Sequence, residues 1–165
     1  MDLNMLLEKQ EKLDNEILKN AGIKKYPFEN IQLALLVELG ELANEWQGFK
    51  YWKQNKNIDR ERLLDEFADC MHFALSLENH NHQLSKAKLK DFPEGFEKTY
   101  EESKNCPELD INDAFLNTYV CTLNNHFPIG GVLALGGCLD ITPDEMQESY
   151  LKKYEVNIKR QQEGY

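Results

Sequence analysis

The chain has 165 residues, 41% hydrophobic and 29% charged, the proportions of a soluble globular domain with one real core. Its formal net charge of −10 excludes a broad grip on a nucleic-acid backbone, so no polymeric nucleic acid is expected; a mononucleotide, needing only a few local cations, stays open. No apolar run approaches the ~20 residues of a membrane span, Met1-Asp2-Leu3-Asn4 opens no signal-peptide pattern, and Cys70, Cys106, Cys121 and Cys138 form no C-x-x-C pair, so a cytoplasmic protein with reduced thiols and no membrane is expected.

Helical periodicity dominates and no strand alternation appears, which predicts one all-α domain over residues 1–165. Leu3, Leu6, Leu7, Leu13, Ile17 and Leu18 recur among charges as one amphipathic helix that Gly22 stops. After Pro27, a second helix is predicted from about Glu29 to Trp52; its apolar residues occupy nearly every side, so it should be central. A polar turn at Asn55-Lys56-Asn57 leads to a third helix from about Asp59 to Leu77. From Glu78 to Asn105 the chain is polar, with Pro93 and Gly95, and reads as a loop-rich insertion. Helical pattern resumes over 108–125, and Pro128, Gly130-Gly131 and Gly136-Gly137 bracket another short apolar helix. Thr142-Pro143-Asp144-Glu145 is a strong start for a last helix: Thr caps, Pro takes the first position and Glu follows three residues after the cap.

Chemistry concentrates in two acidic pairs within apolar stretches, Glu38-x-x-Glu41 and Glu66-x-x-Asp69. Spacing of i to i+3 puts both carboxylates of a pair on one helix face, and Glu38, Glu41 and Glu45 span an arc of about 60°. Ionised carboxylates beside a core are costly unless something compensates them. If the two helices pack together, four acids converge, and an all-oxygen set suits Mg²⁺ or Mn²⁺ sharing its shell with substrate phosphates. The plain alternative is a set of solvated acids on amphipathic helices. His72 follows Asp69 at i+3, but no second acid-x-x-His exists to build a di-iron carboxylate bundle, so a core or supporting role is expected for it.

On the last helix, Lys153, Asn157 and Arg160 at i, i+4 and i+7 form a polar, cationic stripe suited to a triphosphate, or else an ordinary solvated helix end. Trp46, Phe49 and Lys50, on the helix predicted to reach Trp52, share a face that either walls a base or sugar pocket or anchors the helix end in the core.

In order along the chain stand Gln10-x-x-Leu13-Asp14; Glu38-x-x-Glu41 followed by Asn44-Glu45-Trp46-Gln47-Gly48-Phe49-Lys50-Tyr51-Trp52; Glu66-x-x-Asp69-x-x-His72-Phe73; and Tyr150-x-x-Lys153-x-x-x-Asn157-x-x-Arg160-Gln161-x-x-Gly164-Tyr165. This set resembles the dimeric all-α dUTPase family (type 2), within the wider MazG-like group of all-α NTP pyrophosphatases. The acidic pairs mark the wider group; Gln10 and the terminal block point to the dUTPase branch. The resemblance implies a helical bundle that hydrolyses dUTP to dUMP and pyrophosphate, with Mg²⁺ on Glu38, Glu41, Glu66 and Asp69. It further implies that Gln10 helps recognise uracil, that Lys153, Asn157 and Arg160 contact the nucleotide, and that Trp46, with Lys50 beside it, serves the base or sugar pocket. A homodimer with shared active sites also follows. The span 78–128 matches no motif of the family and reads as a variable insertion, a lid, or the surface for a repressor protein such as some phage-type members bind. The alternatives are a MazG-like or dCTPase-like enzyme of other base preference, and a non-catalytic helical interaction module.

Overall fold

The computed structural model describes residues 1–85 and 110–164; residues 86–109, most of the span expected to be an insertion or lid, lie outside the described residues. Among the described residues there are helices and no strand: α1 (Leu3–Asn20), α2 (Phe28–Trp46), α3 (Arg60–Ser85), α4 (Ile111–Leu123), α5 (Pro128–Cys138) and α6 (Pro143–Glu163). The all-α expectation holds.

The helix ends have local causes. Asp2 accepts the Met5 N–H at the start of α1, and Gly22, at φ +67°, takes the left-handed turn beyond its end. At α6 the capping box is complete: Glu145 N–H donates to Thr142 Oγ at 3.3 Å, and Thr142 N–H donates to the Glu145 carboxylate at 2.9 Å. Asp110 caps α4 through the Asn112 N–H, and Asp59 accepts the Glu61 and Arg62 amides at the start of α3.

Two boundaries differ from expectation. Helix α2 ends at Trp46 rather than Trp52, with Gln47 left-handed at φ 60°. The reason lies at Gly48, where a Cβ would stand 2.0 Å from the Trp46 ring; the indole folds over that backbone and packs on Phe115 at 5.3 Å between ring centroids. Trp46, Phe49 and Lys50 therefore do not share a helix face. Helix α3 runs on past Leu77 to Ser85, and Glu78 and Asn79, assigned to an insertion, are buried in the bundle. Asn79 donates to the Leu7 carbonyl at 2.9 Å, which satisfies a polar side chain in the core.

The central helix is α3, not α2. It packs against α1, α2, α5 and α6, while α4 closes over α2 and α5. Phe67, Met71, Ala74 and Leu75 of α3 interleave with Leu6, Leu7, Leu35, Leu39, Leu42, Val132 and Met146 in one core. Each such large side chain contributes roughly 1.5–3 kcal/mol when taken from water. Gly136 lets α5 lie close, since a Cβ there would come within 2.6 Å of the Phe67 ring. Cys70 is fully buried, as expected, and Cys138 packs partly buried against the same core.

Helix α2 is not covered on every side. Leu33 and Val37 stand 61% and 50% exposed, and Leu116, Val120 and Leu123 of the adjoining α4 are exposed to a similar degree. The α2–α4 pair thus presents an apolar outer face larger than isolated surface leucines explain.

Candidate active site

Helices α1, α2, α3 and α6 enclose a cavity of ≈ 510 Å³. Its two ends differ in chemistry. Leu13, Ile17, Leu18, Ile23, Tyr26, Pro27, Ile31 and Phe73 make one end apolar; Glu38, Glu41, Asp65, Glu66, Asp69, Lys153, Asn157 and Arg160 line the other. Eight of the ten residues singled out from the sequence, Gln10 among them, therefore meet in one space.

At the polar end, α2 supplies Glu38 while α3 supplies Glu66 and Asp69, and one carboxylate oxygen from each lies within 4.8 Å of the others. Glu41, equal to Glu38 by sequence, lines the same cavity from a more exposed position and is not part of this close triad. The crowding shows in proton affinity. Burial, with repulsion from Asp69, Glu41 and Glu66, pushes Glu38 up to about 7; burial followed by its neighbours raises Glu66; and burial raises Asp69 although Lys153 pulls the other way. Carboxylates so strained toward protonation, all with oxygen donors, fit a hard divalent cation.

The Lys153 ammonium reaches into this cluster, 2.6 Å from Asp69 Oδ2 and 2.9 Å from Asp65 Oδ2, with only 13% of its side chain exposed. Burial would lower its pKa, but the hydrogen bonds to Asp69 and Asp65 prevail and raise it, so it stays charged. Asn157 and Arg160 follow on the same face of α6, where Arg160 Nη1 donates to Asn157 Oδ1 at 3.4 Å. Glu45, grouped by spacing with Glu38 and Glu41, is instead paired with Arg62 at 2.9 Å.

Gln10, which also lines the cavity, is 3% exposed and in hydrogen-bonding contact with three side chains. Its Nε2 donates to Asp14 Oδ1 at 2.7 Å. Its Oε1 lies 3.0 Å from the Tyr150 hydroxyl and 2.7 Å from His72 Nδ1. The His72 and Tyr150 rings stack with centroids 4.2 Å apart, and burial drives the imidazole down to about 3, so it is neutral. The network continues from Asp14 to Ser76, whose hydroxyl is 2.8 Å from that of Tyr26. His72 thus takes the supporting place expected of it. Asp65, Tyr26 and Ser76 were not foreseen, although Asp69, His72 and Ser76 recur at i, i+3 and i+7 along one face of α3.

Trp46 and Lys50 are not in this cavity within their own chain. Trp46 joins Gly40, Phe49, Phe115, Leu116 and Tyr119 around a separate shallow groove, and Lys50 Nζ donates to the Asn44 carbonyl at 3.3 Å. The early end of α2 carries both away.

No curated protein matches the chain significantly. The model of the family described as dUTPase (dUTPase_2) matches residues 2–165, and the chain, an all-α enzyme, belongs to this family of dUTP diphosphatases.

Proposed function

We propose that the protein hydrolyses dUTP to dUMP and pyrophosphate, using one water and Mg²⁺ (with Mn²⁺ as substitute) held by Glu38, Glu66 and Asp69, with Glu41 at the rim. The observation that carries this reading is one cavity joining a close carboxylate triad and two cationic side chains to an apolar end lined by Tyr26, Ile31 and Phe73. Phosphates and base then each have a matching environment along one molecule.

When bound, the divalent ion neutralises phosphate charge and acidifies water. The chain's own groups do the rest. Glu38 is the carboxylate placed to orient the attacking water and take up its proton. Lys153 and Arg160 offer cations, and Asn157 an amide, to the phosphates. The apolar end excludes water from the base, and Gln10 meets its polar edge.

The homodimer with shared sites is part of the same proposal. Its support is the apolar face of α2 and α4, whose Leu116 also borders the groove of Trp46. A second subunit on that face would cover the groove that Trp46 lines.

The deciding experiment incubates each dNTP with the protein, with and without Mg²⁺, and identifies the products. Pyrophosphate and dUMP are expected from dUTP only with the metal, and Asp69→Asn should abolish them while the helical signal persists. Equal turnover of dCTP would replace the base assignment, and turnover by Asp69→Asn within a fewfold of wild type would remove the metal-site assignment.

A further inference from the structure

The side-chain amide of Gln10 has two orientations of similar shape and opposite meaning: turned one way it offers a cavity ligand N–H, turned the other way C=O. We propose that Tyr150 and His72 are positioning residues that hold this amide in a single orientation, with its NH₂ group available to the cavity, so that the pocket accepts a carbonyl and rejects an amino group at that point of a bound base. The proposal rests on the reading that a nucleotide base occupies the apolar end.

Three contacts fix the orientation. The Tyr150 hydroxyl has one proton and two acceptors nearby, Gln10 Oε1 at 3.0 Å and the Leu6 carbonyl at 3.3 Å. The Leu6 carbonyl already has its helical donor within α1, so the nearer amide oxygen takes the hydroxyl proton. His72 Nδ1 faces the same oxygen at 2.7 Å. A separation of 2.7 Å from an amide oxygen requires a donor, so the imidazole proton sits on Nδ1 and points at Gln10. On the other side, the amide atom 2.7 Å from Asp14 Oδ1 has to be nitrogen, because an oxygen there would set two acceptors against each other. With Oε1 occupied by two donors and one N–H given to Asp14, the remaining N–H is the only polar valence the amide has left. Uracil presents carbonyls to it. Cytosine turned with its amino group to the same point would oppose N–H to N–H, and a site built for one hydrogen-bonding sense discriminates strongly against the other.

The geometry is economical: α3 and α6 each send one donor, stacked ring on ring, to a single oxygen of α1. Neither donor has to touch the base for the selectivity to depend on it.

The test compares kcat/KM for dUTP and dCTP in wild type, Tyr150→Phe, His72→Leu and His72→Asn. Loss of either donor is expected to lower the dUTP-to-dCTP ratio about tenfold or more. His72→Asn, whose amide N–H can stand where Nδ1–H stood, should keep the ratio within about threefold of wild type. A structural role alone would slow both nucleotides together; an unchanged ratio in folded Tyr150→Phe and His72→Leu overturns the proposal. Binding of dUMP and dCMP, followed calorimetrically, carries the same comparison without turnover. A chain that selects dUMP through this lock yet hydrolyses nothing would sink the reaction and keep the inference, whereas selective hydrolysis with an unaffected ratio in the variants does the reverse.

Discussion

Asp14 offers a quantitative check on how this interior treats charge. Burial raises its carboxyl from the ordinary 3.8 to about 6, against hydrogen bonds from Ser76 and Gln10 that favour the ionised form. A carboxyl whose pKa is higher in the folded state holds its proton more tightly there, so stability falls as pH rises from the unfolded value through the folded one. Each tenfold change in proton affinity is ~1.4 kcal/mol, so the whole displacement amounts to about 3 kcal/mol, of which about 1.4 kcal/mol falls between about pH 5 and about pH 7.5. Asp14→Asn has nearly the same shape and still accepts from Gln10, but does not titrate. Urea unfolding of both proteins without metal, across that pH range, isolates this residue because the other carboxylates are common to both. The stability of Asp14→Asn relative to wild type should climb by about 1.4 kcal/mol from the acidic to the neutral end. A difference that stays flat would show that Asp14 is solvated and that the Gln10 network is looser than described.

Two further outcomes concern the metal and the partner. Glu38→Gln removes one repelling carboxylate, so the metal-free protein should melt at or above the wild-type temperature while losing the rise in Tm expected of the wild type with Mg²⁺; a rise equal to that of wild type would take Glu38 out of the proposed ligands. Val120→Glu places a charge on the exposed α2–α4 face and should give a monomer in sedimentation with its helical content intact; a dimer unaffected by that charge would place the interface elsewhere.

Much of the fold could be read residue by residue, and the exceptions have a common cause. Gly22 and Thr142-Pro143 stop and start helices through local backbone chemistry, and both act where the sequence places them. The end of α2 depends on a ring folding over the glycine two residues on: Gly48 carried the signal, but only the contact with Trp46 gives it force. Periodicity marked α2 as apolar on nearly every side without saying which sides would be covered, and Leu33 and Val37 stayed outside. The acidic pairs show the same limit. Spacing placed Glu38 and Glu41 on one face and could not rank them, because their difference in depth is set by packing. The polar network around Gln10 was visible only at its motif residues; Ser76 and Tyr26 lie 50 positions apart in sequence and meet through tertiary structure.

The balance of charge at the cavity mouth bears on the order in which things can arrive. Glu38, Glu41, Asp65, Glu66 and Asp69 line the cavity with Lys153 and Arg160, five carboxyl groups against two cations, and a proton shared among the crowded carboxyls leaves the balance still negative. A naked polyphosphate would approach a mouth of its own sign and be turned back over a distance of about one Debye length. The same polyphosphate carrying divalent cations would not. On the proposed function, the species expected to enter is the ion-paired nucleotide, with metal-free triphosphate a poor competitor for it.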